Sequence, residues 1–478
     1  MPRSGALRCP DKMAAVPAPA SLKLSEQLGD FVAGLRSVPE RATLRAKHLM
    51  LDAVGCAFAA RTQPFAGRLV GSVARLAGPG PRGVIGMAHR LPLRDAAMAN
   101  GMLMHGLDYD DTHAAGVVHL TVSTFPAGLA LGAQLGASGM QLLLAYIAGV
   151  EAGARIAAAA KGGFHQAGFH PTSLVGTFAA ALVAGRLMGL SASQLAGAQG
   201  IALSLASGSL QFLDDGSWTK RIHPGWAAAG GLTAASLAAD DIPAPPEAYE
   251  GRFGLFRSHL PADALAASDL SLVGAGLGST WEVEKVAVKP FPACHLVHAC
   301  VDAAIALHRA GVDVERVRSV QARVPADVVP AVCEPLAAKR RPKSDYDAKF
   351  SIPYAVASGL ARGRLGLAEL APQALGEPRI ERLMNKVEYA IDATFEFPRY
   401  YGGEVIVTLD DGRTLSERVA VNRGHPERPL TDEEIQAKFF ENCALTLEAK
   451  ACRRIRDLLL GLDALANVRE LEEALAIA

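Results

Sequence analysis

The stretch from Asn100 to His119, NGMLMHGLDYDDTHAAGVVH, sets three aspartates and three histidines among alanine, glycine and aliphatic residues. Gathering carboxylates in such surroundings costs free energy unless cations or hydrogen-bond donors compensate them. At helical spacing His105 lies one turn before Asp108, and Asp108 one turn before Asp111 and Thr112, so these side chains would share a face. His113 and His119 would fall on the loop that follows. Two plainer explanations compete with catalysis. The aspartates could be solvated at a helix C-terminus, or His and Asp at this spacing could ligate Mg²⁺ or Zn²⁺. No second acidic cluster of similar density follows, so no metal is expected.

Three other stretches share a pattern. GFHPTSLVGTFAAALVAG places His170 before Pro171, and DGSWTKRIHPGWAAAGG places Lys220, Arg221 and His223 before Pro224. VAVKPFPACHLVHACVDAA places Lys289 before Pro290, with Pro292 expected to open a helix. Proline favours the first helical position, where its missing N–H does no harm. A helix N-terminus attracts anions through its free N–H groups, and a lysine or histidine there adds to the attraction. Three such ends suggest a cradle for a substrate with several carboxylates. The competing explanation is ordinary helix starts with surface basic residues, but Lys220 and His223 are embedded among apolar and small neighbours. A histidine at a helix N-terminus is biased towards its neutral form, which suits a general base. Removing a proton next to a carboxylate builds enolate-like charge, which neighbouring lysines would stabilise. Asp108 is then expected to orient a histidine.

DAKFSIPYAVASGLARG puts Asp347, Lys349, Ser351 and Tyr354 at the head of a helix. Tyr354 could donate to a carboxylate or a leaving hydroxyl, although a tyrosine there is more often amphipathic packing. Cys294 at a helix start would have a lowered pKa, but without a partner it reads as a buried structural thiol. The Gly-rich pieces GLGST and GGLTAAS match neither a dinucleotide fingerprint nor a P-loop, so no nucleotide cofactor is expected.

These residues need elements to hold them. The chain of 478 residues is long enough for two or three domains, and half of it is hydrophobic. Lys plus Arg and Asp plus Glu both number 48, so the formal charge is zero and nucleic acid is not an expected partner. Seven scattered cysteines in no CxxC spacing fit a reducing, cytoplasmic setting. Residues 1–20 read as a loose Pro/Ala-rich arm, too polar for a signal peptide, with Met13 as an alternative start. No charged Asp, Glu, Lys or Arg lies between Asp111 and Glu151. GASGMQ interrupts that run with a capping-box spacing at Ser138 and Gln141, which predicts two buried helices rather than one membrane span.

Residues 21–283 read as an all-helical domain, with Leu24, Leu28, Phe31 and Leu35 at helical spacing and a second capping box at Ser191 and Gln194. Residues 284–420 read as an α+β unit. Val320, Ala322 and Val324 alternate, as do Val405, Val407 and Leu409, and Asp411-Gly412 is a hairpin signal. Residues 421–478 read as a helical return to the first domain, opening on a capping box at Thr431 and Glu434.

Taken together, NGMLMHGLDYDDTH, GFHPTSLVGTFAAA, GSWTKRIHPGWAAAGG, KPFPACHLVHACVDA and DAKFSIPYAVA resemble, in order and spacing, the MmgE/PrpD family. That family includes 2-methylcitrate dehydratases, cis-aconitate decarboxylases and iminodisuccinate epimerases, and the resemblance runs from about Leu22 to the C-terminal helices. It implies a mainly α fold with an α+β lid, an active site in the cleft between the domains, a homodimer, and cofactor-independent chemistry on small di- or tricarboxylates. By motif position it assigns catalytic roles to His170, His119, Asp108, Lys220 and Tyr354. It assigns substrate binding to Thr112 and Lys289, with His223, Cys294 and His298 as further binding candidates. Two departures stand out. Cys294 occupies the place where cis-aconitate decarboxylases carry a histidine, which weighs against decarboxylation. The loop HAAGVVHLTVS lacks an accompanying His-Pro and is one residue longer. The expected activity is a hydro-lyase of the 2-methylcitrate dehydratase kind, with an epimerase of a dicarboxylate as the alternative. A metal-dependent helical enzyme or a non-catalytic carboxylate-binding protein are readings of another class.

Overall fold

A computed structural model describes residues 22–476; the arm expected for residues 1–20 lies outside them. The first part is helical, and its apolar core returns at the end of the chain. One hydrophobic cluster runs from Leu28 to Val288 and resumes with Leu430 through Leu475. A second is built wholly from Phe291 to Val419.

Local sequence rules set many of the boundaries. Ser138, Ser191 and Thr431 each cap a helix reciprocally with the Gln or Glu three residues on, starting Gly139–Ala159, Ala192–Leu205 and Asp432–Cys443. Helix Gly139–Ala159 is long and apolar enough to cross a membrane, yet most of it is buried inside the protein against Thr121–Leu135 and Pro171–Leu187. The glycines allow unusually close approach. A Cβ added to Gly101 would sit 2.9 Å from the Cα of Gly225. These two glycines let helix Leu93–His105 lie directly on helix Thr219–Ala239, which brings the end carrying His105 next to Lys220.

The second unit carries a four-stranded mixed sheet in the order Val387–Ile391, Val317–Val324, Gly403–Leu409, Thr414–Val419. The first pair is parallel and the other two antiparallel. The parallel pair needs a crossover, and helix Ile352–Arg362 lies within it. The hairpin turns at Asp411-Gly412, where Gly412 has φ 84°. Helix His298–Arg309 packs on Ile352–Arg362 and on the two hairpin strands.

Two of the three proline-led helix starts are corrected. Pro171 does open helix Pro171–Leu187, with His170 at the N-cap. Pro224, however, lies inside Thr219–Ala239, so Lys220 and His223 occupy the first turns of that helix rather than precede it. Pro292 does not open a helix either. The chain bends through residues 290–293, makes one 3₁₀ turn at His295–Val297, and becomes α-helical only at His298.

Candidate active site

Helix Leu93–His105 stops at His105, so the shared helical face expected for His105, Asp108 and Asp111 does not form. Residues 106–111 make a turn in which Asp108 takes a left-handed conformation, φ 55°, one that aspartate tolerates better than most residues. The three aspartates therefore point to three different sets of partners.

Asp108 is clasped by two lysines. Its Oδ1 accepts from Lys289 Nζ at 2.7 Å and its Oδ2 from Lys220 Nζ at 2.9 Å, while Lys289 also donates to the Asp108 carbonyl at 2.9 Å. Burial alone would raise this carboxyl, but the ammoniums of Lys220 and Lys289 hold it well below the usual carboxylate range. Asp108 thus engages lysines, not the histidine that the sequence led us to expect. Two ammoniums against one carboxylate leave a positive surplus.

Asp110 is the aspartate that orients histidines. It accepts from His105 Nδ1 at 2.9 and 3.0 Å, and lies 3.3 Å from His119 Nδ1. His119 Nδ1 also donates to the Asp111 carbonyl at 2.5 Å and lies 3.3 Å from Thr112 Oγ1. The backbone N–H of His119 donates to Thr172 Oγ1. His170 Nδ1 meets His223 Nδ1 at 3.0 Å, so one ring donates and the other accepts. The rings of His105, His119 and His170 have centroids 4.9, 5.7 and 6.2 Å apart. Burial lowers His105 and His223 to about 4 each and pushes His170 well below its ordinary value, with Lys220 adding to the effect on all three. These imidazoles are neutral bases near neutrality.

Asp111 faces away, into the helical core, where it accepts from the Thr121 hydroxyl, itself paired with Tyr146. The three carboxylates therefore do not converge on a common cation, and the metal arrangement considered for DYDDTH does not form.

Segments distant in sequence clamp this turn. Thr112 and His113 pair in antiparallel fashion with Ala287 and Val286, which aligns the acidic turn with the strand leading to Lys289. Lys438, from the C-terminal helical return, donates to the carbonyls of Tyr109 (2.7 Å) and Lys289 (2.9 Å) and pairs with Asp52 at 2.6 Å. Lys349, from the second unit, donates to the Leu107 carbonyl at 2.9 Å and is lowered by burial to about 8.

The structure thus brings together Asp108, Thr112, His119, His170, Lys220, His223 and Lys289. Cys294 lies at the edge of the group, its backbone N–H donating to the Lys349 carbonyl. Burial raises its thiol, the reverse of the lowering expected from a helix start, and Asp108 raises it further. His298 is fully buried and tied through Nε2 to the Ala293 carbonyl, supporting the loop after Lys289. Tyr354 is not brought in. Its hydroxyl donates to the Glu369 carbonyl and receives Arg362 at 3.3 Å, inside the second unit's own core. The tyrosine near the charges is Tyr346. It is buried, without a hydrogen-bond partner for its hydroxyl among the described residues, and raised by burial and then by Asp108.

Residues 26–267 match the MmgE/PrpD N-terminal domain and residues 291–464 match the MmgE/PrpD C-terminal domain. The chain belongs to the MmgE/PrpD family. Curated relatives include cis-aconitate decarboxylases from Mus musculus, Aspergillus terreus and Homo sapiens. The mouse protein is 30% identical over 75% of this chain and 73% of its own length. The Aspergillus terreus protein is 28% identical over 92% of each chain, and the human one 28% identical over 89% of this chain and 88% of its own.

Within this MmgE/PrpD chain, the spacing that set His105 on a face with Asp108 and Asp111 pointed neither to Asp110 nor to Tyr346. Asp110 was readable as the carboxylate between the two aspartates at helical spacing. Tyr346 had no signal beyond its place three residues before Lys349, because its position beside Asp108 depends on how the second unit packs against the first.

Proposed function

We propose that this protein is a lyase acting on a small polycarboxylate, and that it removes water from a β-hydroxy acid of the 2-methylcitrate type. The observation that carries the reading is Asp108 held between Lys220 and Lys289 beside a group of neutral, buried imidazoles. A substrate carboxylate can join the lysines and take up the surplus positive charge. The C–H next to that carboxylate then faces the histidines.

His170 can act as base through Nε2 when its Nδ1 donates to His223, and His119 through Nε2 with Nδ1 fixed on the Asp111 carbonyl. As the C–H bond breaks, charge moves onto the carboxylate oxygens, where two buried ammoniums stabilise it far better than water would. The imidazolium so formed returns its proton to the departing hydroxyl, directly or by way of the other histidine through an intervening water, the rings of His119 and His170 being 6.2 Å apart between centroids. The products are an unsaturated acid and water, and the site returns to its starting protonation. His170 and His119 divide the base and acid roles, while Thr112, His223 and Tyr346 hydrogen-bond substrate.

The test is incubation of purified protein with a panel of hydroxy di- and tricarboxylates, following the unsaturated product by ultraviolet absorbance. Absence of turnover on every hydroxy acid in either direction would overturn the dehydratase reading. A second reading is favoured by the names of the relatives, which are cis-aconitate decarboxylases. The same lysines would stabilise the carbanion left by carbon dioxide, and gas release from cis-aconitate would identify that chemistry. Exchange of deuterium into a dicarboxylate without an unsaturated product would point instead to epimerisation.

A further inference from the structure

The histidine group has a second capacity, separate from proton transfer. One ring nitrogen from each of His105, His119 and His170 lies within 4.8 Å of the others, and all three residues are buried. On each ring Nδ1 already has a partner, His105 Nδ1 with Asp110, His119 Nδ1 with the Asp111 carbonyl and His170 Nδ1 with His223, which leaves Nε2 as the nitrogen available to a ligand. Metal-binding histidines characteristically have their second nitrogen held by a carboxylate, a carbonyl or another polar group in this way, which fixes ring and tautomer. His105 Nε2 is buried and has no hydrogen-bond partner among the described residues. An orphaned, lone-pair-bearing nitrogen on a ring only 1% exposed is costly unless something else takes it up.

We propose that His105, His119 and His170 form a three-imidazole site for a divalent transition metal of the zinc type. Three neutral nitrogens plus a fourth position for water match the ligand preference of zinc, and oxygen-seeking magnesium or calcium would not choose them. Tetrahedral ligation needs nitrogens about 3.3–3.4 Å apart for metal–nitrogen bonds of about 2.0–2.1 Å, so the rings must close by roughly 1 Å or more. His119 and His170, at the more open side, supply that movement. The carboxylates contribute charge from behind through Asp110 rather than direct bonds.

Occupancy would take the lone pairs that the lyase reading assigns to proton transfer. Under that reading, on which this consequence alone rests, zinc is an inhibitor of the enzyme and not its cofactor. The binding itself does not depend on the reaction.

The experiment uses the full-length protein, stripped with chelator and titrated with Co²⁺ in a buffer free of polycarboxylates, since these chelate cobalt themselves. One cobalt per chain with the intense visible bands of four-coordinate geometry is expected, together with a rise in melting temperature that saturates at the same stoichiometry. His105→Gln and His119→Gln should each abolish the bands, whereas His308→Gln, on helix His298–Arg309 of the second unit, should keep them. A melting curve for each variant establishes that it is folded, and either variant decides the matter if the other does not fold. No bound cobalt, a weak six-coordinate spectrum, or bands that survive both substitutions would overturn the site. A separate arm adds zinc to an acid-turnover assay, so that loss of the metal site and loss of the lyase reading are told apart.

Discussion

Asp108 and Asp111 stand three residues apart on one turn, both buried, and the fold treats them in opposite ways. Asp108 faces two ammoniums brought from helix Thr219–Ala239 and from the strand leading into the second unit, and it is held ionised. Asp111 faces a hydroxyl in the helical core. Burial and the neighbouring Asp110 push it up to about 8, so it is protonated at neutrality. Residue type and solvent exclusion are the same on both sides, so the partners decide. On one side the fold keeps a charge that a substrate carboxylate can share. On the other it keeps a neutral, hydrogen-bonded carboxylic acid as part of the packing.

Breaking the site-facing side gives the largest effects. His170→Gln keeps the shape of the N-cap but has no titratable nitrogen, and kcat should fall about 10²–10⁴-fold. Because the burial that surrounds these rings holds His105 and His223 neutral down to about pH 4, the acid limb of wild-type kcat against pH should lie well below 6.5. A limb at the ordinary histidine value would mean that the imidazoles are solvated in the working enzyme. Lys220→Ala removes one of the two clasping ammoniums and should cost about 10²–10³-fold in kcat. Turnover retained in that variant would detach the lysine pair from the chemistry.

The contrast between the two aspartates was only partly legible in the sequence. Rules that act within a few residues read true. Ser138, Ser191 and Thr431 cap their helices because the partner sits three residues on. Asp411-Gly412 turns its hairpin because only local backbone geometry matters there. Pro224 misled for the converse reason. Proline is favourable at a helix start, but tertiary packing against Leu93–His105 extends the helix back to Thr219 through it. The acidic turn misled most, since the spacing of His105, Asp108 and Asp111 continues a helical pattern past the point where the helix ends, and Gly106 is the one local sign of that end. That end is fixed by Lys349, Lys438 and the pairing of Thr112 with Ala287, partners more than 170 residues away along the chain. Which carboxylate meets lysine and which meets histidine depends on that arrangement, not on spacing.

Asp111→Asn sharpens the core-facing side. The folded protein binds the Asp111 proton far more tightly than the unfolded chain does, with about 8 against an ordinary 3.8. Its stabilising contribution is fully present below pH 3.8. It is lost as pH rises, by up to about 1.4 kcal/mol per pH unit, until about pH 8, above which the cost is constant. Asparagine stays neutral throughout. The difference in unfolding free energy between variant and wild type should therefore move in favour of the variant from pH 5 to pH 8 and then level off. Chemical denaturation at several pH values measures it, and a difference independent of pH would mean that Asp111 is ionised in the folded state. Turnover at neutrality should change little, because the carbonyl that holds His119 belongs to the backbone.

The smallest effect separates the two tyrosines. Tyr354→Phe removes a hydroxyl that donates to the Glu369 carbonyl and receives Arg362, both within the second unit. Losing that bond should cost about 1 kcal/mol of stability and leave kcat and KM where they were, since no charged group of the site is within its reach. Tyr346→Phe removes a hydroxyl that has no protein partner among the described residues. It should therefore be close to neutral for stability and should raise KM. The pair is read together by thermal denaturation and steady-state kinetics. If Tyr354→Phe suppresses turnover while Tyr346→Phe does not, then the second unit docks differently during catalysis, and the tyrosine chosen by motif position reaches the substrate after all.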